Sequence, residues 1–199
     1  MNEATQSTKF QQIVKTATEL FIRHGIRRVS VEEICQLANV SKMTFYKYFK
    51  NKLDLAKYVI TQMVSEAEAE YRGIMDQGIP FSQKVKQMIK MKMDQTDGLS
   101  REWMGEFIHS AEPEIAELLY RVKQEMFQLI LKDFIQVQKQ EDIRQDVKPE
   151  FILYFLNHMI EMASDEQLIE LYDSPQALIV ELTNFFFYGI LPRDRSNEK

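Results

Sequence analysis

Lys42, Thr44, Tyr46, Lys47 and Tyr48 lie within seven residues, mixing ammonium groups with hydroxyls, and Lys50 and Lys52 follow at once. Ammonium groups neutralise phosphates, and hydroxyls bond phosphate oxygens or base edges. Met43 and the Thr44 methyl are of the kind that meets a thymine methyl in a major groove. The chemistry these residues suit is recognition of a polyanion. With the two serines that begin the helices here, the expected DNA-contacting set is Ser30, Ser41, Lys42, Met43, Thr44, Tyr46, Lys47, Tyr48 and Lys52.

Two short helices must position these groups. Ser30 and Glu33 have the S-x-x-E spacing of a capping box, in which the serine hydroxyl accepts from a first-turn N–H. Val31, Ile34, Leu37 and Ala38 then share one face at helical spacing. Asn39 tolerates the left-handed backbone of a tight turn. Ser41 caps a second helix in which Phe45 and Phe49, one turn apart, face inward, leaving Lys42, Thr44, Tyr46, Lys47 and Tyr48 on the outer surface. The pattern over about 30–49 is a helix-turn-helix whose second helix suits a DNA major groove. Taken alone, it is shared by helical hairpins with a merely solvated polar side.

The flanks decide between these readings. Upstream, Phe10, Ile13, Val14, Ala17, Leu20 and Phe21 form an apolar face that stops at His24-Gly25. Downstream, Asn51-Lys52-Leu53-Asp54-Leu55 opens another helix. In order, Ala17-x-x-Leu20-Phe21-x-x-x-Gly25, Ser30-Val31-Glu32-Glu33-Ile34, Ala38-Asn39-Val40-Ser41 and Thr44-Phe45-Tyr46-Lys47-Tyr48-Phe49-Lys50-Asn51-Lys52-x-x-Leu55 resemble the DNA-binding domain of the TetR family of bacterial transcriptional regulators. The resemblance covers residues from about 10 to 57. Two departures are Asn39 in place of the usual turn glycine and Met43 where a small residue is common; Met43 bears on which sequence is read. The resemblance implies an all-α fold. A three-helix DNA-binding domain spans 1–51, and a helical regulatory and dimerisation domain spans 52–199.

Charge agrees with this division. The net charge of −5 argues against a protein that coats nucleic acid indiscriminately, yet residues 1–60 hold ten basic against five acidic side chains and the remainder fifteen against twenty-five. A basic head on an acidic body turns the head toward a polyanion. The single cysteine, Cys35, excludes an internal disulfide and a cysteine-based zinc site, and packing is its expected role. Residues 1–8 lack the apolar core of a leader, and apolar runs such as 151–156 are too short to span a bilayer, so a cytoplasmic bacterial protein is expected.

The body reads as helix throughout. A long helix runs from Lys52 to about Tyr71, and by resemblance it connects the DNA head to the ligand-binding body. Gly73 and Gly78-Ile79-Pro80 then punctuate the chain. Helices follow over about 82–95, from Ser100, from Pro113, from Pro149 to about Ser164, over about 167–171 and from Pro175 to Tyr188-Gly189, with a frayed tail over 193–199. The helices from Pro149 and Pro175 are apolar nearly all round, which demands burial all round. Burial against a second copy, as a four-helix bundle about a two-fold axis, meets that demand. The expected interface is Phe151, Phe155, Met159, Met162, Leu178, Leu182, Phe185 and Phe186. A simple intrachain core is the alternative.

Eleven methionines are many for 199 residues. Met88, Met91, Met93 and Met104 fall near Trp103, Phe107 and Phe127, and such side chains make adaptable apolar walls. The family holds small-molecule inducers in this region, so the resemblance implies an effector pocket, with Met88, Met91, Trp103, Met104, Phe107, Met126, Phe127, Ile130, Phe155 and Met159 as the expected lining. Glu102 and Glu106 flank the aromatic cluster, where they either meet a cationic ligand or stand solvated.

No enzyme is expected: the chain has no nucleophile elbow, Gly-rich phosphate loop or H-E-x-x-H. His158 and Glu161 are spaced as a metal pair without a third ligand in view, and neither metal nor cofactor is expected. Two functions remain. One is a ligand-responsive regulator, foremost a repressor, that holds a palindromic operator as a homodimer and is released by a small apolar or amphipathic effector. The other is a DNA-bound interaction module whose body recruits a protein partner.

Overall fold

The computed structural model describes residues 3–192, with side chains from Thr8 onward; the expected tail from Arg193 lies outside them. The described residues form ten α-helices, in chain order α1 (Glu3–His24), α2 (Val31–Leu37), α3 (Lys42–Tyr48), α4 (Lys52–Met75), α5 (Phe81–Gln95), α6 (Arg101–Ile108), α7 (Pro113–Lys139), α8 (Pro149–Met162), α9 (Glu166–Ile169) and α10 (Pro175–Ile190). The fold is all-α, as expected. It divides into two compact units, one comprising the chain up to Glu66 together with Gly98–Leu119, the other Ala67–Asp97 and Tyr120 onward. The unit that holds the helix-turn-helix is thus larger than the expected 1–51, taking in the first half of α4, all of α6 and the start of α7.

Helix boundaries follow local chemistry. Ser30, Ser41, Ser100, Asp165 and Ser174 each accept a backbone N–H from the first turn of the helix they precede. Pro149 and Pro175 sit at first-turn positions, where the missing N–H costs nothing. Asn39 adopts a φ of +52°, the left-handed turn conformation anticipated for it. Gly73 does not end α4, which continues to Met75. One glycine costs a helix about 1 kcal/mol, less than the packing of Tyr71 and Ile74 supplies on either side of it. The helix ends just past the buried Ile74, and Gly78 and Pro80 follow in the connection to α5.

In the first unit the core gathers around α1. Ile13, Ala17 and Phe21 are fully buried with Ile34 of α2, Phe45 of α3, and Leu55, Ala56 and Ile60 of α4. At its edge Phe10 stacks on Phe49 at 5.5 Å and meets Tyr58 edge-on at 5.3 Å. In the second unit one apolar cluster joins Tyr71 and Ile74 of α4, Phe81, Val85, Met88 and Met91 of α5, Phe134 and Val137 of α7, Ile152 of α8, and Phe186, Phe187 and Ile190 of α10. Phe186 stacks between Phe134 and Phe155, at 5.9 and 6.0 Å.

The expectation that α8 and α10 are buried all round does not hold within one protomer. Ile152, Leu178, Phe186, Phe187 and Ile190 are buried, but Phe151, Tyr154, Phe185 and Tyr188 stand 58–72% exposed. Each helix uses one apolar face inside its own unit and leaves the other open. Leu178 and Phe186 are corrections to the expected interface: at 2% and 5% exposure they already belong to the intrachain core.

Phe45 is the side chain that seats α3 on α1 and α2. Phe45→Ala should destabilise the protein by about 3–5 kcal/mol, as large-to-small changes of a fully buried aromatic do. Urea unfolding of the variant against the wild type reads the difference.

Candidate nucleic-acid interface

The turn between α2 and α3 is closed by backbone bonds, Val40 N–H donating to Cys35 at 2.9 Å and Asn39 N–H to Gln36 at 3.2 Å. At its far side the Ser41 hydroxyl accepts the Thr44 N–H at 3.1 Å and shares a 3.0 Å bond with the Thr44 hydroxyl. Lys42 pairs with Glu32, bridging the two helices across the turn. That pairing holds the Glu32 carboxyl below and the Lys42 ammonium above their ordinary ranges. Both partners remain exposed, so the bridge orients more than it stabilises.

On the outer side of α3, Met43 is 77% exposed and Tyr46 55%, with Lys47 exposed beside them. The Tyr46 ring leans edge-on against Phe45 at 5.3 Å, which fixes its direction without hiding it. Ser30 and Ser41 are exposed at the two helix starts, their oxygens accepting cap bonds and their hydroxyl hydrogens still able to reach a phosphate.

Three expected members are placed differently. Thr44 is buried at 9% exposure, its hydroxyl on Ser41, because residue 44 is adjacent to the inward Phe45 and seven residues make only two turns. Tyr48 is half-buried and packs edge-on against Phe10 of α1 at 5.5 Å. Lys52 turns inward at the start of α4 and donates to the carbonyls of Ile26, Arg27 and Val29 at 2.8, 3.2 and 2.7 Å. An ammonium has three N–H donors, so Lys52 has none left for a phosphate. Burial lowers its pKa from the usual lysine range despite the nearby charges of Glu106 and Glu112.

The side chain that sequence reasoning placed wrongly is Glu106. Backbone N–H groups, rather than a ligand or solvent alone, take up its carboxylate. Its carboxylate accepts the Ile26 N–H at 2.6 Å and the Arg27 N–H at 3.2 and 3.3 Å. Glu102, one turn earlier on α6, pairs with Arg28 at 3.5 Å. Cys35 is buried, and desolvation raises its thiol pKa, which agrees with a packing role.

Residues 13–59 match the family model of the bacterial regulatory proteins of the tetR family. Over that stretch, which holds the helix-turn-helix, the chain is similar to the family's members. YhgD of Bacillus subtilis, an HTH-type transcriptional regulator, is 32% identical over 73 residues, a stretch that covers 37% of this chain and only 38% of YhgD. The HTH-type transcriptional repressor DhaR of a Mycobacterium species is 23% identical over 154 residues, covering 73% of this chain and 75% of DhaR. The fatty acid degradation regulator FadR of Bacillus halodurans superposes with a TM-score of 0.71 over 91% of this chain and 95% of FadR, at 17% identity, a likeness of fold.

The expected effector lining is divided between the two units. Trp103, Met104 and Phe107 belong to the first, where Trp103 and Phe107 meet at 5.8 Å. The other seven belong to the second, and of these Met88, Met91, Ile130, Phe155 and Met159 join its apolar cluster. A solvent-open cleft of about 550 Å³ lies between α4 and α5 in the second unit, lined by Glu70, Gly73, Ile74, Gln77, Gln87, Lys90, Met91 and Asp94. Met91 is the expected residue that reaches it. His158 bonds Glu161 at 2.9 Å and Tyr154 packs on its ring; no group of three metal-binding side chains occurs among the described residues. None of the described helices is long and apolar enough to cross a membrane.

The contrast between Lys47 and Lys52 is testable. Lys47→Ala should weaken DNA binding broadly and reduce the salt slope by about one per subunit. Lys52→Met should leave that slope unchanged and lower stability by about 1–2 kcal/mol, through three carbonyls left without their donor. Salt-dependent DNA binding and urea unfolding of both variants separate the two roles.

Proposed function

We propose that the protein is a DNA-binding transcriptional regulator, acting as a repressor, that holds a palindromic operator as a homodimer and is released by a small apolar or amphipathic effector. The observation that carries the DNA role is the outer surface of α3. Met43 and Tyr46 are large, partly apolar side chains exposed on a helix whose own inner face is buried, next to Lys47, and the Phe45 ring directs Tyr46. A reading helix needs that combination: cations for phosphates, and a shaped, partly apolar edge for bases. The repressor role is supported by the likeness to DhaR.

Dimerisation is supported by the open faces of α8 and α10. Phe151 and Tyr154 are three residues apart on one helix, Phe185 and Tyr188 three apart on the other, so each pair shares a side of its helix. Exposed apolar surface of this kind marks a protein contact. A second copy satisfies it and supplies the second reading helix that a palindrome requires. Of the expected interface, Phe151 and Phe185 are the residues this reading keeps at its centre.

The effector reading rests on the second unit. Its core combines Met88, Met91 and Met159 with stacked phenylalanines, a lining that repacks around apolar guests. Effector and operator must then weaken one another by the same factor. The same open faces on α8 and α10 support a second reading, in which they receive a different protein. Sedimentation distinguishes it, since a monomer under conditions of tight DNA binding favours that partner.

The test begins with operator selection from random DNA by the purified protein. A palindromic consensus bound by a dimer is expected. Tyr46→Phe should weaken specific binding in a folded protein, and Met43→Ala should change the selected sequence more than the affinity. Phe151→Asp with Phe185→Asp should give a folded monomer with at least tenfold weaker operator binding. An unchanged consensus and affinity in the α3 variants would remove α3 as the reading helix, and a dimeric double variant would place the interface elsewhere.

A further inference from the structure

The five-residue link from Gly25 to Val29, between α1 and α2, is held from both sides by opposite charges. On its N–H side stands the Glu106 carboxylate, which comes from α6, eighty residues further along the chain. On its carbonyl side stands the Lys52 ammonium, bonded to Ile26, Arg27 and Val29. Ile26 is held at both ends, its N–H on Glu106 at 2.6 Å and its C=O on Lys52 at 2.8 Å. A peptide group between an anion on its N–H and a cation on its C=O is polarised in the sense that strengthens both bonds.

Two further observations bring α6 to the same link. The Ser100 N–H, at the start of α6, donates to the Ile22 carbonyl of α1 at 3.0 Å. Gly25 has a φ of +76°, and a Cβ placed there would lie 2.9 Å from Glu106 Oε1 and 3.2 Å from Glu102 Cβ. A side chain at residue 25 would therefore push the carboxylate off the link, besides straining the backbone.

The consequence reaches α3 through short, stiff steps. The link ends at Ser30, which caps α2. From α2, Glu32 pairs with Lys42 at the start of α3, and the turn between the helices is closed by backbone bonds. We propose that Glu106 is a positioning residue for DNA reading: it touches no DNA, but its carboxylate sets the α1–α2 link and with it the angle at which α3 is presented. This rests on the regulatory reading given above.

The test uses the full-length protein and the operator selected by the wild type. Glu106→Ala removes charge and acceptors, Glu106→Gln removes the charge but keeps an acceptor, and Glu106→Asp keeps the charge on a shorter arm. Specific binding to the operator is compared with non-specific binding to random DNA, and amide spectra follow Ile26 and Arg27. Glu106→Ala and Glu106→Asp should each lose about tenfold or more in specific affinity with non-specific affinity within twofold of wild type. Glu106→Gln should stay within about threefold in specific affinity. In the alanine and aspartate variants the Ile26 amide resonance should move upfield as its short bond is lost.

A merely structural glutamate would lower the melting temperature and leave the ratio of specific to non-specific binding intact in the folded protein; that result overturns the proposal. So does an equal change in both kinds of binding for Glu106→Ala and Glu106→Gln that Glu106→Asp does not share, which would make Glu106 a charge effect. Should Glu106→Ala fail to fold, Glu106→Asp decides alone. A wild type that selects no operator overturns the regulatory reading and this inference together, whereas operator binding equal in wild type and variants overturns this inference only.

Discussion

A helix of seven residues does not hold its shape in water on its own backbone bonds, because nucleation consumes most of what so few bonds return. The proposed reading surface lies on α3, which is that short, and α2 before it is no longer. Everything else in the first unit can be understood as support for them. Ser30 and Ser41 satisfy first-turn N–H groups, and Asn39 closes the turn. Ile34 and Phe45 carry each helix into a core built on α1 and α4. Burying a phenylalanine stabilises by about 1.5–3 kcal/mol, more than a cap supplies, so Phe45 rather than Ser41 decides whether α3 exists.

Rigid support matters because reading bases is geometric. Phosphate contacts tolerate displacement, whereas base-edge contacts lose their worth when the helix that bears them tilts. The side chains of α3 divide accordingly. Lys47 is exposed and suits a phosphate; Tyr46, directed by the Phe45 ring, and the exposed Met43 suit base edges. Lys42, joined to Glu32, is partly committed to holding α2 and α3 together. An operator phosphate reaching Lys42 would compete with that carboxylate, so the bridge limits what this lysine adds to affinity.

Most of the head was legible in the sequence, for a physical reason: caps, turns and helix periods are local, and local patterns are what a sequence displays. The starts of α2, α3 and α6 and the left-handed Asn39 all follow from residues within four positions of one another. Lys52 and Glu106 did not. Each bonds backbone groups more than twenty residues away, and nothing in the local pattern separates a lysine aimed at phosphate from one aimed at carbonyls. Thr44 was misplaced for a subtler cause. On so short a helix the boundary between inner and outer faces falls within one residue, and the Ser41 hydroxyl drew it inward. The apolar faces of α8 and α10 were recognised, but sequence composition does not say which half of an all-round apolar helix the chain uses for itself. Leu178 and Phe186 show that the inner half goes to the core.

The outer half remains the strongest constraint on how the protein exists in solution. Phe151, Tyr154, Phe185 and Tyr188 each leave more than half of a large ring in water. Sequestering such rings is favourable by about 25 cal/mol per Å² of apolar surface, while keeping them exposed invites indiscriminate association. Charge alone does not prevent that association, since the acidic excess of the body is spread over its helices. A symmetric partner removes the problem at no cost in sequence, because the same rings meet themselves across a two-fold axis. In the proposed homodimer, cover for α8 and α10 and a second reading helix for a palindrome would come from the same assembly, which would tie the stability of the body to the function of the head.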